Sequence, residues 1–228
     1  SLIGVGAGCT NIGDTHIYDG TSGWVITVTD KQMVDVSAMI AAITGAQPNR
    51  FNYFAEMETA GKSLEWVKDH LALDEIGVYL KNKKATKDNV RENLYQYLTD
   101  TVKQSKPGAG GVIFTPWLHG NRCPFEDPNA AGMFFNINID TGKRDLIRSV
   151  IEGVCFQNRW MYEQQKKKVS VSDTVRFVGG GALSDVTCQI LADVLGCTVE
   201  TVASPQNVGA VGAAAIIGVG IGAIDSLD

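Results

Sequence analysis

The sequence predicts an α/β domain, a mixed sheet flanked by helices. Its last third reads strand, glycine turn, helix, strand, helix, the order of a parallel strand pair with helices packed on it. Near its start, two runs of β-formers flank the short polar turn Asp19-Gly20-Thr21-Ser22-Gly23, the pattern of an antiparallel hairpin. Between these regions the apolar period changes from that of strands to that of helices.

Taken in order, residues 15–29 hold the hairpin, with Ile17 and Tyr18 before the turn and Trp24, Val25, Ile26 and Val28 after it. Residues 39–43 and 51–57 are further strands around the turn-rich Gly45-Ala46-Gln47-Pro48-Asn49. Ser63, Leu64, Trp66, Val67, His70 and Leu71 fall at helical spacing. Val90, Leu94, Tyr97, Leu98 and Val102 give a second helix, which ends before Lys106-Pro107-Gly108. Val112, Ile113 and Phe114 form a short buried strand ahead of a polar loop over residues 119–129, and residues 133–139 resume as a strand. From Thr141 a long helix runs through Val150, Val154 and Trp160 into Lys166-Lys167-Lys168, a solvated helix end rather than a binding patch. Residues 174–178 are a strand and Gly179-Gly180-Gly181 a turn. A helix over residues 184–195 follows, with Val186, Ile190, Leu191 and Val194 on one side. Residues 197–202 form a second strand and residues 209–221 a buried helix.

The 228 residues suffice for one well-buried core or two small ones. A formal charge of −5 is the wrong sign for a phosphate-backbone binder, so nucleic acid is not an expected partner. The longest apolar run, residues 208–224, is rich in Gly and Ala and falls short of the ~20 apolar residues of a membrane span. The expectation is a cytoplasmic enzyme or binding domain, not a membrane protein. Cys9, Cys123, Cys155, Cys188 and Cys197 include no CxxC pair and read as reduced, mostly buried thiols. His16, His70 and His119 are far apart in sequence, which argues against a His/Cys metal site. The chain opens on Ser1 and runs straight into Leu2-Ile3-Gly4-Val5-Gly6-Ala7-Gly8, so both ends look cut from something longer.

Three features are candidates for chemistry. Gly179-Gly180-Gly181, between a strand and a helix, lets backbone approach a ligand and presents the N–H groups of a helix start; triple glycines also mark plain turns. It is neither a P-loop nor a GxGxxG pattern. Gly20-Thr21-Ser22-Gly23 can wrap phosphate oxygens with backbone N–H groups, although most such turns are only turns. Two such turns far apart in sequence are what a nucleotide clamped between loops requires. The loop carrying Arg122, Glu126 and Asp127 is read first as stapled by an ion pair from Arg122 to one of those acids. Asp193 and Glu152 sit in apolar helices and read as capping or packing partners.

Together these segments resemble the FGGY family of carbohydrate kinases, xylulokinase-like members in particular. The stretch Val5-Gly6-Ala7-Gly8 through Gly13-Asp14 to Gly20-Thr21-Ser22-Gly23-Trp24 is similar to the opening of the family's C-terminal domain. Leu118-His119-Gly120-Asn121-Arg122-Cys123-Pro124, with Asp127-Pro128 and Ala131-Gly132, resembles its LxGxRxPxxDPxARG loop, except that Ala131 stands where the pattern carries Arg. Arg148, Glu152-Gly153 and Arg159 resemble the helix after that loop. Gly179-Gly180-Gly181-Ala182 with Ser184, Gln189 and Ala192-Asp193, then Gly209-Ala210-Val211-Gly212-Ala213-Ala214, is similar to the C-terminal signature.

The resemblance implies a ribonuclease-H-like, actin-type ATPase domain spanning residues 1–228, truncated at both ends, that closes with a second domain on ATP and a sugar. It implies phosphate contacts from Gly20, Thr21 and Ser22. Gly180 and Gly181 would lie along the adenosine, with Asp185 and Gln189 near its edge, and Mg²⁺ would accompany ATP. No catalytic residue is expected within the chain, because the family's catalytic Asp lies just before the segment matched by Val5-Gly6-Ala7-Gly8, upstream of Ser1. The fragment alone is therefore expected to be inactive. The expected substrate is D-xylulose, shared with the N-terminal domain; ribulose, gluconate or a polyol stay open, as does a homodimer of the parent. A nucleotide-binding module without phosphoryl transfer, and an unrelated α/β domain with structural glycine turns, are the other readings.

Overall fold

The computed structural model describes residues 1–72, 77–78 and 90–227, with the side chains of residues 90–95 left aside. The predicted helix at residues 90–102 is present, but its expected contacts at Val90 and Leu94 lie outside the described side chains.

The chain runs α1 (Leu2–Gly6), β1 (Thr15–Asp19), β2 (Gly23–Thr29), β3 (Val34–Asp35), β4 (Ile40–Thr44), β5 (Phe51–Met57), α2 (Gly61–His70) and α3 (Val90–Val102). It continues through β6 (Ile113–Thr115), β7 (Met133–Phe135), α4 (Lys143–Lys166), β8 (Thr174–Gly179), α5 (Asp185–Leu195), β9 (Thr198–Glu200) and α6 (Val208–Gly220). Short 3₁₀ turns lie at Ala109–Gly111, Gly180–Leu183 and Pro205–Asn207.

Seven strands form one mixed sheet in the order β3-β4-β5-β2-β1-β8-β9. The strands β3, β4, β5, β2 and β1 pair antiparallel, whereas β1–β8 and β8–β9 are parallel. Alternate residues of β1 therefore serve different layers. Ile17 and Asp19 face α4, while Tyr18 packs with Ala7, Val178 and Val208 on the α1 and α6 side.

Helix α4 is the spine of the first layer. Its apolar residues Ile147, Val150, Ile151, Val154 and Met161 join the main core. Several of its buried polar residues fasten other elements. Gln165 donates to the carbonyls of Val25 and Tyr53 and accepts from the Thr27 hydroxyl at 2.7 Å. Arg148 pairs with Glu152 at 2.6 Å and donates to the carbonyls of Val102 and Ser105, tying the end of α3 to α4. On the second layer α1 and α6 touch through glycines: a Cβ on Gly6 would lie 1.9 Å from the Val208 carbonyl oxygen, and one on Gly212 1.9 Å from that of Leu2.

Several expectations are corrected. Helix α6 is apolar all round but is not buried: only Val208, Gly212 and Gly218 are, and Val211, Ile217 and Ile221 are exposed. The strand expected over residues 133–139 ends at Phe135, because Asn136 adopts a left-handed φ of 66°, and Ile137 and Ile139 are exposed. The polar loop is stapled by backbone hydrogen bonds between Asn121 and Asp127 rather than by the expected ion pair, for Arg122 reaches across to Glu56 at 2.9 Å and Glu58 at 3.6 Å. The short strand expected to be buried over residues 112–114 is β6, in which Phe114 is buried but Ile113 is exposed, and Asp193, expected to cap or pack, is exposed and bonded to Gln189 of its own helix. Lys166, Lys167 and Lys168 are exposed at the end of α4, and Cys9, Cys123 and Cys155 are buried free thiols. Glu152 is a packing partner, and among the described residues no helix is long and apolar enough to cross a membrane.

Candidate functional site

The parallel pairing of β1 with β8 sets Asp19 opposite Gly179. The turns that follow these strands therefore leave the sheet side by side, although about 160 residues separate them in sequence. Close packing demands their glycines. A Cβ on Gly20 would lie 2.4 Å from the Tyr18 ring, and one on Gly179 would lie 2.6 Å from the Asp19 carbonyl oxygen, at a φ of 93° that already favours glycine.

Sequence reading missed the third component, the start of α2. Gly61 N–H donates to the Gly20 carbonyl at 2.8 Å, and the N–H groups of Ala60 and Lys62 both donate to the Thr21 carbonyl at 3.1 Å. A Cβ on Gly61 would lie 2.5 Å from the Gly20 carbonyl oxygen. The hairpin turn is thus held by its carbonyls, and among the described residues the N–H groups of Thr21 and Ser22 make no hydrogen bond within the protein. A turn fixed through its acceptors with its donors free is suited to an anion. The available signal was a lone glycine between strand β5 and an amphipathic helix.

Beside these turns is a mostly apolar cavity lined by Asp19, Ala60, Gly61, Leu64, Ile151, Val154, Cys155, Gly181 and Thr187. Gly20, Gly61 and Gly181 are thus gathered at one end of the sheet, with Gly180 buried beside Gly181 in the 3₁₀ turn. Ser184 caps α5 by accepting from the Thr187 N–H at 3.3 Å and is bonded to the Thr99 hydroxyl at 2.9 Å. Asp185 and Gln189 lie on the exposed side of α5 and do not line the cavity. Gln189 donates to Asp193 at 2.8 Å. Thr187, between them, is the α5 side chain that does line it.

On the other side of α2, Thr21 borders a cleft of about 560 Å³ lined by Glu58, Lys62, Glu65, Trp66, Asp69, His70 and His119, among others. Two histidines distant in sequence meet there, yet among the described residues no three His, Cys, Asp or Glu side chains group to hold a metal ion.

Asp19 was not singled out in the sequence. It ends β1 with its side chain 5 % exposed, and Nδ2 of the fully buried Asn158 lies 3.2 Å from each of its carboxylate oxygens. Burial pushes its pKa up to about 7, against the smaller opposing effect of the Asn158 hydrogen bond.

The overall arrangement is that of solved sugar kinases. The ligand-bound xylulose kinase from Lactobacillus acidophilus superposes with a TM-score of 0.82 at 23% identity, over 99% of this chain and 42% of that one. The domain therefore has the actin-like ATPase fold. The family model for the FGGY family of carbohydrate kinases, C-terminal domain, matches residues 17–221, and the chain belongs to that family. Xylulose kinase of Staphylococcus xylosus is 28% identical over 95% of this chain and 41% of its own length. Gluconokinase of Bacillus licheniformis is 27% identical over 100% of this chain and 42% of its own length. The chain thus spans about two fifths of the relatives it matches.

Proposed function

We propose that this chain is the nucleotide-binding, C-terminal domain of an ATP-dependent sugar kinase that moves the γ-phosphoryl group of ATP to a sugar hydroxyl. The observation that carries the reading is the convergence of the Gly20-Thr21-Ser22 turn, Gly61 and Gly180-Gly181 beside one cavity. In it, the free N–H groups of Thr21 and Ser22 and the Thr21 hydroxyl take phosphate oxygens. Gly180 and Gly181 lie along the adenosine, with Asp185 and Gln189 at the outer edge of α5; the cavity itself, about 20 Å³, has room for no more than a water molecule and lies behind the nucleotide. Stabilising the charge on a transferring phosphoryl group is mainly a matter of preorganised donors, which a turn locked by three backbone hydrogen bonds supplies.

Mg²⁺ belongs to the reading as the companion of the ATP phosphates. The described residues do not form a cage for it, and Asp19, the carboxylate at the turn, is already bonded to Asn158. The ion would arrive on the polyphosphate, as Mg²⁺ commonly does.

D-xylulose is the substrate we favour, because the first-named relative and the solved structure above are both xylulose kinases. The gluconokinase at nearly equal identity makes gluconate the second reading. The general base is assigned to an Asp upstream of Ser1, and the working protein is taken to be cytoplasmic. The test compares D-xylulose, D-ribulose, gluconate and glycerol as acceptors in the protein that carries this chain behind such an Asp, and then in the 228-residue chain alone. ADP release that depends on D-xylulose, present in the first and absent in the second, is the expected result. Sugar-dependent release from the chain alone would overturn the assignment of the base.

A further inference from the structure

The nucleotide reading leaves one buried ionisable group at the site unused. We propose that Asp19 is a positioning residue of the nucleotide site whose carboxyl group is protonated when nucleotide is bound, so that binding takes up a proton. The inference rests on the nucleotide reading above and adds a regulation to it.

The geometry puts Asp19 at the joint of the site. It is the last residue of β1, directly before the Gly20-Thr21-Ser22 turn, and its side chain lines the cavity. Two turns lean on it: a Cβ on Gly23 would lie 2.9 Å from its Oδ1, and a Cβ on Gly181 would lie 3.1 Å from its Cβ. A charged carboxylate here faces the turn that is to receive polyphosphate, and like charges close together in a low-dielectric setting disfavour ionisation of the weaker acid.

Among the described residues one neutral donor is all that holds the charge, and its effect is smaller than that of burial. From α4 come Asn158, a neutral donor, and the Cys155 thiol, held well above its usual range by burial first and then by Asp19 itself. From α2 come Ala60, Gly61 and Leu64, and from α5 Thr187. From β2 comes Gly23 and from the turn after β8 Gly181. No cation is among these neighbours, and the Arg148 guanidinium is already closed on Glu152.

Asn158 gives an independent sign. It is fully buried, its Nδ2 is shared between both Asp19 oxygens, and its Oδ1 has no hydrogen-bond partner. A buried acceptor left bare is costly. A protonated Asp19 removes that cost after a rotation of the Asn158 amide: its O–H donates to Oδ1 while Nδ2 donates to the other carboxyl oxygen.

The test is titration calorimetry of the chain with ADP and Mg²⁺ from pH 6 to 8.5, in buffers of different ionisation enthalpy, for wild type and Asp19→Asn. The ADP phosphates titrate equally in both proteins, so the difference between them reads Asp19. A one-unit rise in the pKa of Asp19 on binding makes wild-type affinity fall about tenfold more than that of Asp19→Asn across this range. Near pH 7 wild type should also take up more protons on binding than the variant. Should Asp19→Asn fold poorly, the ¹³C resonance of the Asp19 carboxyl in wild type serves instead, and its midpoint should move to higher pH when ADP is added. Identical pH profiles, or a midpoint unmoved or lowered by ADP, overturn this inference while leaving the nucleotide reading intact. Failure to bind ADP at any pH overturns both.

Discussion

At the scale of single residues, two buried ionisable side chains sit on opposite faces of β1 and pull stability in opposite directions. His16 is 1 % exposed, neither ring nitrogen has a partner, and burial pushes its pKa down to about 3 from 6.5. Between those values the unfolded chain binds the proton more readily, so His16 makes stability fall as pH falls. Asp19 is the reverse, with a pKa raised to about 7 from 3.8, so the folded chain binds the extra proton and stability falls as pH rises across that interval. Where the two windows overlap, roughly pH 4 to 6.5, the slopes oppose each other, each bounded at about 1.4 kcal/mol per pH unit. The single variants expose what wild type cancels. Denaturant unfolding of His16→Leu should show stability falling between pH 4 and 7, and Asp19→Asn should show it rising up to about pH 6.5. Parallel profiles for the two variants would contradict the assignment. Neither residue's role was legible in the sequence, because a His and an Asp in a β-forming run carry no local sign of which layer will cover them.

At the scale of elements, the contacts that matter are backbone against backbone. Gly212 in α6 meets the Leu2 carbonyl of α1 so closely that no side chain fits, whereas a Cβ on Gly220, in the same helix, would meet nothing within 4 Å. Gly212→Ala should therefore destabilise by about 1–3 kcal/mol, the usual penalty for overpacking. Gly220→Ala should be neutral or slightly stabilising through helix propensity. Chemical denaturation of the pair separates packing from propensity, and equal effects would sink the packing account. Arg148→Met poses a different question, since it leaves the buried Glu152 carboxylate with the Gly108 N–H but no countercharge; about 3–5 kcal/mol is expected for a buried pair broken on one side. Most elements were legible because their signals are local: the hairpin turn, the helical spacing in α2 and the strand, glycine turn and helix from β8 to α5. Helix α6 was recognised as a helix but not in its exposure, since an apolar Gly/Ala stretch does not say how much of its surface the fold will cover.

At the scale of the molecule, the site exists because β1 and β8 are neighbours, and that pairing joins residues about 160 positions apart. Sequence periodicity reports on neighbours along the chain, so it found both glycine turns, while their placement on one nucleotide came from the family resemblance and not from periodicity. It missed Gly61 for the same reason, as that residue acquires meaning only through its bond to the Gly20 carbonyl. This dependence on long-range pairing makes a prediction about the chain as a whole. If the three segments are one site, ADP should protect their amides from hydrogen exchange together: residues 20–23, the first turn of α2 from Gly61, and residues 180–187. The β6–β7 hairpin belongs to a separate two-stranded sheet and should exchange unchanged. Exchange measured by mass spectrometry with and without ADP and Mg²⁺ decides the matter. Protection confined to the cleft at Trp66, His70 and His119 would move the nucleotide to the far side of α2 and leave the cavity at Asp19 outside the site.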